Sequence, residues 1–413
     1  MDKYCVTPEK IVFGGNCLAK INGKNVFIPY AIPGEKIEIE ITKSYRDYDL
    51  ARISKIIEPS CFRAEPFCPY YEKCGGCNMQ HIKIDKQREL RRLILQECFK
   101  REGIECPEIE IISGNEKNYR SRIQLTDGGF NEKNSNNQIM IQNCPVATQE
   151  INNYLQNTPS QNRPKGRIHI FGDKRIVKYE KKDFDKLIIA NEIHKDLWTN
   201  KQIGKSKKGI KNKVRQRFAG SFIENQNICS INILNKQIEF DVQGFFQSNI
   251  EVLEKTINAI THNMGGNNVL DMYSGAGTFS IFLGDIFKKT VLVEHNRDAL
   301  VHAETNLKDV IHETYGLSGS KWVKENAQMI ISKNGDFDAV VIDPPRSGME
   351  KEVLSWLCST KIPQIRSISC DPSTQARDAA KLIKSGYKMT KLYLLDFYPQ
   401  TSHIESLAYF ENI

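Results

Sequence analysis

The chain has no long apolar run. Nowhere in its 413 residues does a stretch approach the roughly 20 apolar residues that a bilayer-spanning helix needs, which excludes such a helix. The opening residues, Met1-Asp2-Lys3-Tyr4-Cys5, lack an apolar signal region, so a cytoplasmic protein without membrane contacts is expected. No internal repeat recurs along the chain, which argues against a solenoid. Acidic residues are missing between Asn200 and Phe218, a segment that carries Lys201, Lys205, Lys207, Lys208, Lys211, Lys213, Arg215 and Arg217. A solvated loop and a phosphate-contact surface both fit that pattern.

Apolar residues make up 40% of the chain, enough for real cores, and the length suggests two or three domains. The 58 Lys and Arg exceed the 50 Asp and Glu by a net +8, a modest basic excess compatible with a polyanionic partner. Twelve cysteines are many for a reducing compartment, where disulfides seldom persist, so metal binding and catalysis are the first questions to ask of them.

Residues 1–58 read as short strands. Asn22-Gly23 separates two apolar runs as a hairpin turn does, Pro33-Gly34 marks a second turn, and Ile37-Glu38-Ile39-Glu40-Ile41 alternates strictly. A small OB-like β-barrel is predicted. Residues 59–240 hold a cysteine cluster and then a helix from about Asp85 to Arg101, with Leu90, Leu93, Ile94 and Phe99 on its apolar side; Asn131 to Asn137 reads as a loop. This central region is expected to be α+β. Residues 241–413 alternate strand and helix patterns, predicting an α/β, Rossmann-like domain with a mostly parallel sheet. Its apolar runs end in Asp271, Glu294, Asp343 and Cys370. Ligands in such sheets bind beyond the carboxyl ends of strands, so one crevice could collect all four.

Asp271-Met272-Tyr273-Ser274-Gly275-Ala276-Gly277-Thr278-Phe279-Ser280 follows a strand and precedes a helix. Glycines there permit a tight turn and close ligand approach, and Glu294 lies where an acid would bind ribose hydroxyls. Ser280 replaces the third glycine of the dinucleotide pattern, and the acidic Asp271 suits a cationic ligand better than a pyrophosphate. An ordinary strand-to-helix turn is the plain alternative. Cys370 precedes Asp371-Pro372 and a helix start. A buried core cysteine is the usual alternative to a reactive thiol, which a helix N-terminus or a cation such as Arg346 of Asp343-Pro344-Pro345-Arg346 would activate. His403-Ile404-Glu405 offers an imidazole and a carboxylate, though Glu405 alone could be a surface acid. A thiol and a base belong together in one reaction. Thiolate addition to carbon 6 of uracil makes carbon 5 nucleophilic toward a sulfonium methyl, and a carboxylate then removes the carbon 5 proton.

With these motifs in this order, nearly the whole chain resembles the RNA uridine-5-methyltransferases that carry an N-terminal TRAM barrel and an iron–sulfur domain. The resemblance implies that Gln247 (in Phe246-Gln247-Ser248-Asn249), Tyr273, Glu294 and Asp343, with Thr278 and Asn326, bind S-adenosylmethionine; that Cys370 is the nucleophile; and that Glu405 accepts the proton. The family usually has Cys at Ser274 and Asn at Asp371, and a second negative charge beside Cys370 would oppose thiolate formation unless it is hydrogen-bonded or turned away. The spacing of Cys68, Cys74 and Cys77, with remote Cys144-Pro145, leaves tetrahedral zinc as a rival. The resemblance implies a structural [4Fe–4S] cluster on these four, with Cys61 spare.

RNA is the implied partner, large-subunit ribosomal RNA ahead of transfer RNA, with Arg120 and Arg122 as possible braces and the protein a monomer. Two rivals stand beside this. Cytidine-5-methyltransferases typically carry a cysteine after the paired prolines, where this chain has Arg346. A non-enzymatic RNA-binding assembly factor would have little use for both Cys370 and Glu405.

Overall fold

The computed structural model describes residues 3–177, 186–192 and 227–412. The basic segment Asn200 to Phe218 lies outside them. No helix among the described residues is long and apolar enough to cross a membrane.

Six N-terminal strands, Lys3–Val6, Lys10–Ile11, Cys17–Ile21, Lys24–Ile28, Lys36–Ser44 and Tyr48–Glu58, form one sheet. Asn22 and Gly23 both take positive φ, +50° and +81°, as a two-residue hairpin of this twist requires. Register shifts between the last two strands bend the sheet over a core that includes Val26, Ile28, Ile37 and Ile39.

The predicted helix runs Ile84–Arg101. Leu90, Ile94 and Phe99 are buried, but Leu93 is turned to solvent and Leu95 and Cys98 are buried instead. Leu93 lies on the opposite side of a 3.6-residue spiral from the stripe containing Gln87, Arg91 and Cys98. This helix does not stay with the rest of residues 59–240: it packs against the helix Pro372–Lys384. The strand Ile109–Ile112 likewise pairs in parallel with Tyr387–Leu395, at the edge of the C-terminal sheet. A separate three-stranded antiparallel sheet, Arg122–Thr126, Arg167–Gly172 and Leu187–Glu192, carries the helix Gln149–Asn157. The Asn131 to Asn137 segment, read as a loop, is the tip of a hairpin whose short strands are Phe130–Asn131 and Gln138–Ile139.

The C-terminal sheet has eight strands in the order His312–Tyr315, Phe287–Val293, Gly266–Met272, Ala339–Ile342, Gln364–Ser369, Glu405–Asn412, Tyr387–Leu395 and Ile109–Ile112. Within it, Glu405–Asn412 alone runs against its neighbours. The strands alternate as pleated geometry demands. Leu270, Met272, Val340 and Ile342 face one core with the Ile84–Arg101 helix, while Val269, Ala339 and Val341 face the other with the helix Ile250–Thr261. With both faces covered, the reactive side chains can gather at the strand ends.

Candidate active site

Asp271 is the penultimate residue of its strand; Glu294, Asp343 and Cys370 each follow directly on the end of theirs. Because the neighbouring strand is reversed, its first residue, Glu405, arrives at this same end. The register pairs Ser369 with Ser406, so one step further sets Cys370 opposite Glu405. Gln247, just ahead of the Asn249 cap of the Ile250–Thr261 helix, donates to Glu405 Oε2 at 3.4 Å. Gln247 and Glu405 are both buried, whereas Cys370 is half-buried and so open to a ligand from the crevice.

The turn after Asp271 is built for close approach. Tyr273, Gly275 and Gly277 all adopt positive φ. A Cβ on Gly277 would stand 2.7 Å from Leu307 Cδ1, so Gly277 lets the turn pack on the helix Arg297–Asn306 and its following residue, the task that the dinucleotide pattern gives to a third glycine. Ser280, at that third position, instead donates to Asp271 Oδ2 at 2.5 Å. Glu294 accepts the Gly275 N–H at 3.0 Å and the Asn296 N–H at 2.6 Å, which fixes its carboxylate beside the turn. The Tyr273 hydroxyl donates to Glu350 at 3.2 Å. Thr278 is half-buried in the turn, and Asn326 sits at the junction of the helices Gly319–Glu325 and Ala327–Asn334; no hydrogen bond joins either to the acids.

Burial dominates the electrostatics. It pushes the Glu405 carboxyl up to about 8, with the nearby Asp343 adding to the effect and Gln247 and Arg346 opposing it. Asp343 rises to about 7 through burial, and Asp271 rises to about 7 through burial together with Asp343 and Glu294. Burial, Glu405 and Asp343 also raise the Cys370 thiol, while Arg346 works in the opposite direction. Arg346 is therefore the expected cation within reach, but it is outweighed. Asp371 adds little to that burden. Its carboxylate caps the Pro372–Lys384 helix, accepting the N–H groups of Ser373 at 2.9 Å and Thr374 at 3.1 Å. A crevice of acids that resist ionisation favours a cationic ligand, whose charge would restore the carboxylates.

Several buried polar atoms here have no protein partner: Asp271 Oδ1, Ser274 Oγ, Gln247 Oε1 and Ser248 Oγ. Buried polar groups are almost always satisfied, so this concentration at one crevice is what a ligand-binding site leaves open. The residues fit a polar, cationic donor molecule on the Asp271 side and a polar ring on the Gln247 side.

Arg120 and Arg122, read as possible RNA braces, are turned inward: Arg120 Nε donates to the Arg122 carbonyl, and Arg122 to the Gln243 carbonyl. Arg120 lies within electrostatic reach of Cys77, Cys144 and Tyr398. Tyr398 in turn feels Glu405 and Cys370 and packs edge-on to His403 at 5.6 Å; periodicity in the sequence gave no sign of it.

Cys68, Cys74, Cys77 and Cys144 influence one another electrostatically and so share a neighbourhood. The Gly76 N–H lies 3.4 Å from Cys74 Sγ, while the N–H groups of Tyr71 and Ala147 donate to the Cys68 and Cys144 carbonyls at 3.0 and 2.9 Å. Yet among the described residues no group of three or more His, Cys, Asp or Glu side chains is gathered so that it could hold a metal ion. The four sulfurs are thus not gathered closely enough for a single ion. Zinc would need sulfurs drawn to about 3.8 Å of each other around one ion, given Zn–S bonds near 2.3 Å. The buried thiols of Cys68, Cys77 and Cys144 are instead held toward the protonated form.

Comparison with known proteins agrees with the fold. The model of the tRNA (uracil-5-)-methyltransferase family matches residues 83–413, and that of the TRAM domain matches residues 5–53. An uncharacterized RNA methyltransferase of Treponema denticola is 36% identical, covering 100% of both chains. A 23S rRNA (uracil(1939)-C(5))-methyltransferase of Shewanella sediminis is 30% identical over 99% of this chain and 96% of its own. The crystal structure of a Pyrococcus abyssi tRNA (uracil-54, C5)-methyltransferase in complex with S-adenosyl-L-homocysteine shares the fold, with a TM-score of 0.72 at 20% identity over 98% of this chain and 99% of that one.

Proposed function

Since the chain belongs to the tRNA (uracil-5-)-methyltransferase family, enzymes that methylate carbon 5 of uracil in RNA with S-adenosylmethionine, we propose that it modifies one uridine of large-subunit (23S) ribosomal RNA, with Cys370 as nucleophile and Glu405 as general base. The observation that supports these roles is the meeting of Cys370 and Glu405 across one antiparallel strand pair, with Gln247 bonded to the carboxylate.

S-Adenosylmethionine, when bound, supplies an electrophilic methyl. Asp271, Tyr273, Glu294 and Asp343 would hold it, with Gln247, Thr278 and Asn326 completing the set. The Cys370 thiol gives up its proton to solvent and its sulfur bonds to carbon 6 of the uracil. The electrons of the 5,6 double bond move onto the ring carbonyl; they return as carbon 5 bonds to the methyl, whose bond to the sulfonium sulfur breaks and leaves a neutral thioether. Glu405 takes the remaining carbon 5 proton, the double bond re-forms and the sulfur–carbon bond breaks. Gln247 holds the accepting oxygen of Glu405 in place through its amide. Flipping the base out of a stack costs a few kcal/mol and is cheapest in loops already unpaired.

Ribosomal RNA is preferred to transfer RNA because relatives about as similar as the one from Shewanella sediminis carry the 23S rRNA description along nearly their whole length. The test is 5-methyluridine mapping across cellular RNA with and without the gene. One 23S position should lose the mark and regain it with the wild-type protein but not with Cys370→Ala. Loss at a transfer RNA position, or a 5-methylcytidine product, would refute the assignment.

The thiols of Cys68, Cys74, Cys77 and Cys144 would hold a structural [4Fe–4S] cluster, whose ligating sulfurs stand wider apart than those around a single ion. The mutual electrostatic reach of the four thiols and the Gly76 N–H directed at the Cys74 sulfur support this reading. Iron and acid-labile sulfide in anaerobically purified protein, lost in Cys144→Ala, test this part. Three regions, 1–58, 59–240 and 241–413, would then serve as TRAM barrel, cluster and RNA contacts, and methyl transfer.

A further inference from the structure

Gln400 adopts a backbone conformation that side chains disfavour. Its φ is +69°, in the left-handed region that is strained for a non-glycine residue. Such a residue persists where its surroundings over-determine it, and here they do. The Gln400 N–H donates to Gln87 Oε1 at 3.0 Å, while its Oε1 accepts from Gln87 Nε2 at 2.9 Å. Its carbonyl accepts the N–H groups of Asn78 at 3.1 Å and Met79 at 3.0 Å, and its amide donates to Glu116 at 3.2 Å. Gln87 is fully buried and also donates to the carbonyls of Met79 and Ile82, so it has no freedom to turn away.

The segment held in this way, residues 396–404, joins Tyr387–Leu395 to Glu405–Asn412, and the pairing of Leu395 with Glu405 closes it. Its other points are gripped as well. Ser402 exchanges two hydrogen bonds with Asn78, at 2.8 and 2.9 Å. Buried Arg91, one turn after Gln87, bonds Asp396 at 2.6 Å and reaches the His403 carbonyl at 3.4 Å. A loop this long would otherwise sample many conformers, and a displacement of the order of 1 Å at a reacting group can cost about 100-fold in rate.

We propose that Gln87 is a positioning residue for Glu405: by locking Gln400 in its left-handed conformation, it sets where the loop delivers the carboxylate to the substrate ring. The proposal rests on Glu405 being the general base. Helix Ile84–Arg101 thereby takes part in catalysis without contacting substrate.

The test compares Gln87→Leu, which keeps the volume and removes the amide, with Glu405→Gln in the full-length protein, using uridine-containing RNA and S-adenosylmethionine. Turnover, KM for each substrate and the amount of denaturant-resistant protein–RNA adduct are measured. Glu405→Gln should accumulate adduct, because addition and methyl transfer proceed without the final proton removal; absence of adduct would overturn the general-base reading and the proposal with it. Gln87→Leu should lower kcat by about 10- to 100-fold and accumulate adduct, with KM for S-adenosylmethionine changed by less than about twofold. Adduct in Glu405→Gln alongside full turnover in Gln87→Leu would overturn the positioning role only, as would a joint loss of methyl-donor binding and turnover in Gln87→Leu. If Gln87→Leu fails to fold, a second pair decides. Gln400→Gly, which adopts positive φ freely and keeps both backbone groups, should retain most of the turnover that Gln400→Val loses. Equal behaviour of those two would also overturn it.

Discussion

The amide of Gln247 reaches the carboxylate of Glu405 at 3.4 Å across 158 residues of sequence, and it opposes the burial that drives this carboxyl up to about 8. A base must be ionised to act, so the rate of the RNA reaction should climb with pH toward that value. Gln247→Leu removes the opposing hydrogen bond and should move the ascending limb to higher pH. The pH dependence of kcat/KM for RNA checks this; an unshifted or downward-shifted limb would contradict it.

Stability should also depend on pH in a definite sense. Asp271, Asp343 and Glu405 have folded values of about 7, 7 and 8, all above their ordinary carboxylate range. The folded protein therefore holds more protons than the unfolded chain over this interval. Their contribution is complete below the unfolded pKa near 4 and is lost as pH rises through the folded values. Buried His81, lowered to about 4, works in the opposite direction only below its unfolded value near 6.5. Between pH 6.5 and 8 the melting temperature of the ligand-free protein should fall. S-Adenosylmethionine should flatten the slope through its positive charge, and Glu405→Gln should remove part of it. Calorimetry at stepped pH measures both effects.

Asp371 follows Cys370, yet its carboxylate serves as a helix cap through Ser373 and Thr374. Asp371→Asn preserves the acceptor and should leave stability nearly unchanged. Asp371→Ala should cost about 1 kcal/mol, the usual worth of such a cap. Denaturant unfolding of the two variants discriminates; equal losses would mean that charge, not capping, is the role.

The two glycines of the turn after Asp271 should differ. A Cβ at Gly275 meets open space, so Gly275→Ala carries only the conformational cost of φ +56°, about 1–2 kcal/mol. At Gly277 the added atom would also press on Leu307 Cδ1 at 2.7 Å, and overpacking adds about 1–3 kcal/mol. Paired unfolding measurements should rank Gly277→Ala as the more damaging.

Much of the C-terminal arrangement was legible because each parallel strand announces itself as a short apolar run and its end as the polar residue that follows. Asp271, Glu294, Asp343 and Cys370 could be aligned on one edge by that rule alone. The antiparallel arrival of Glu405 could not, because direction within a sheet is set by long-range pairing that no local period carries. The same is true of Gln87 and Gln400, or Arg91 and Asp396, whose partners lie over 300 residues away. One trace of them was nonetheless visible: Gln87 and Arg91 sit one turn apart on the apolar stripe of their helix, where a polar side chain needs a buried partner. The assignment of Leu93 to that stripe failed because its neighbours Leu90 and Ile94 are apolar too, and only the burial of Leu95 and Cys98 shows which way the helix faces.

The edge strand Ile109–Ile112 lies against Tyr387–Leu395, near the other end of the chain. On a ribosome adding about 5–20 residues per second, the earlier segment emerges on the order of tens of seconds before its partner exists. The nascent chain must carry an unmatched strand, and a buried Arg91 without its Asp396 partner, until translation is almost complete. Truncating the gene from either end would leave that seam permanently open, so neither half can be inherited as a freestanding catalyst.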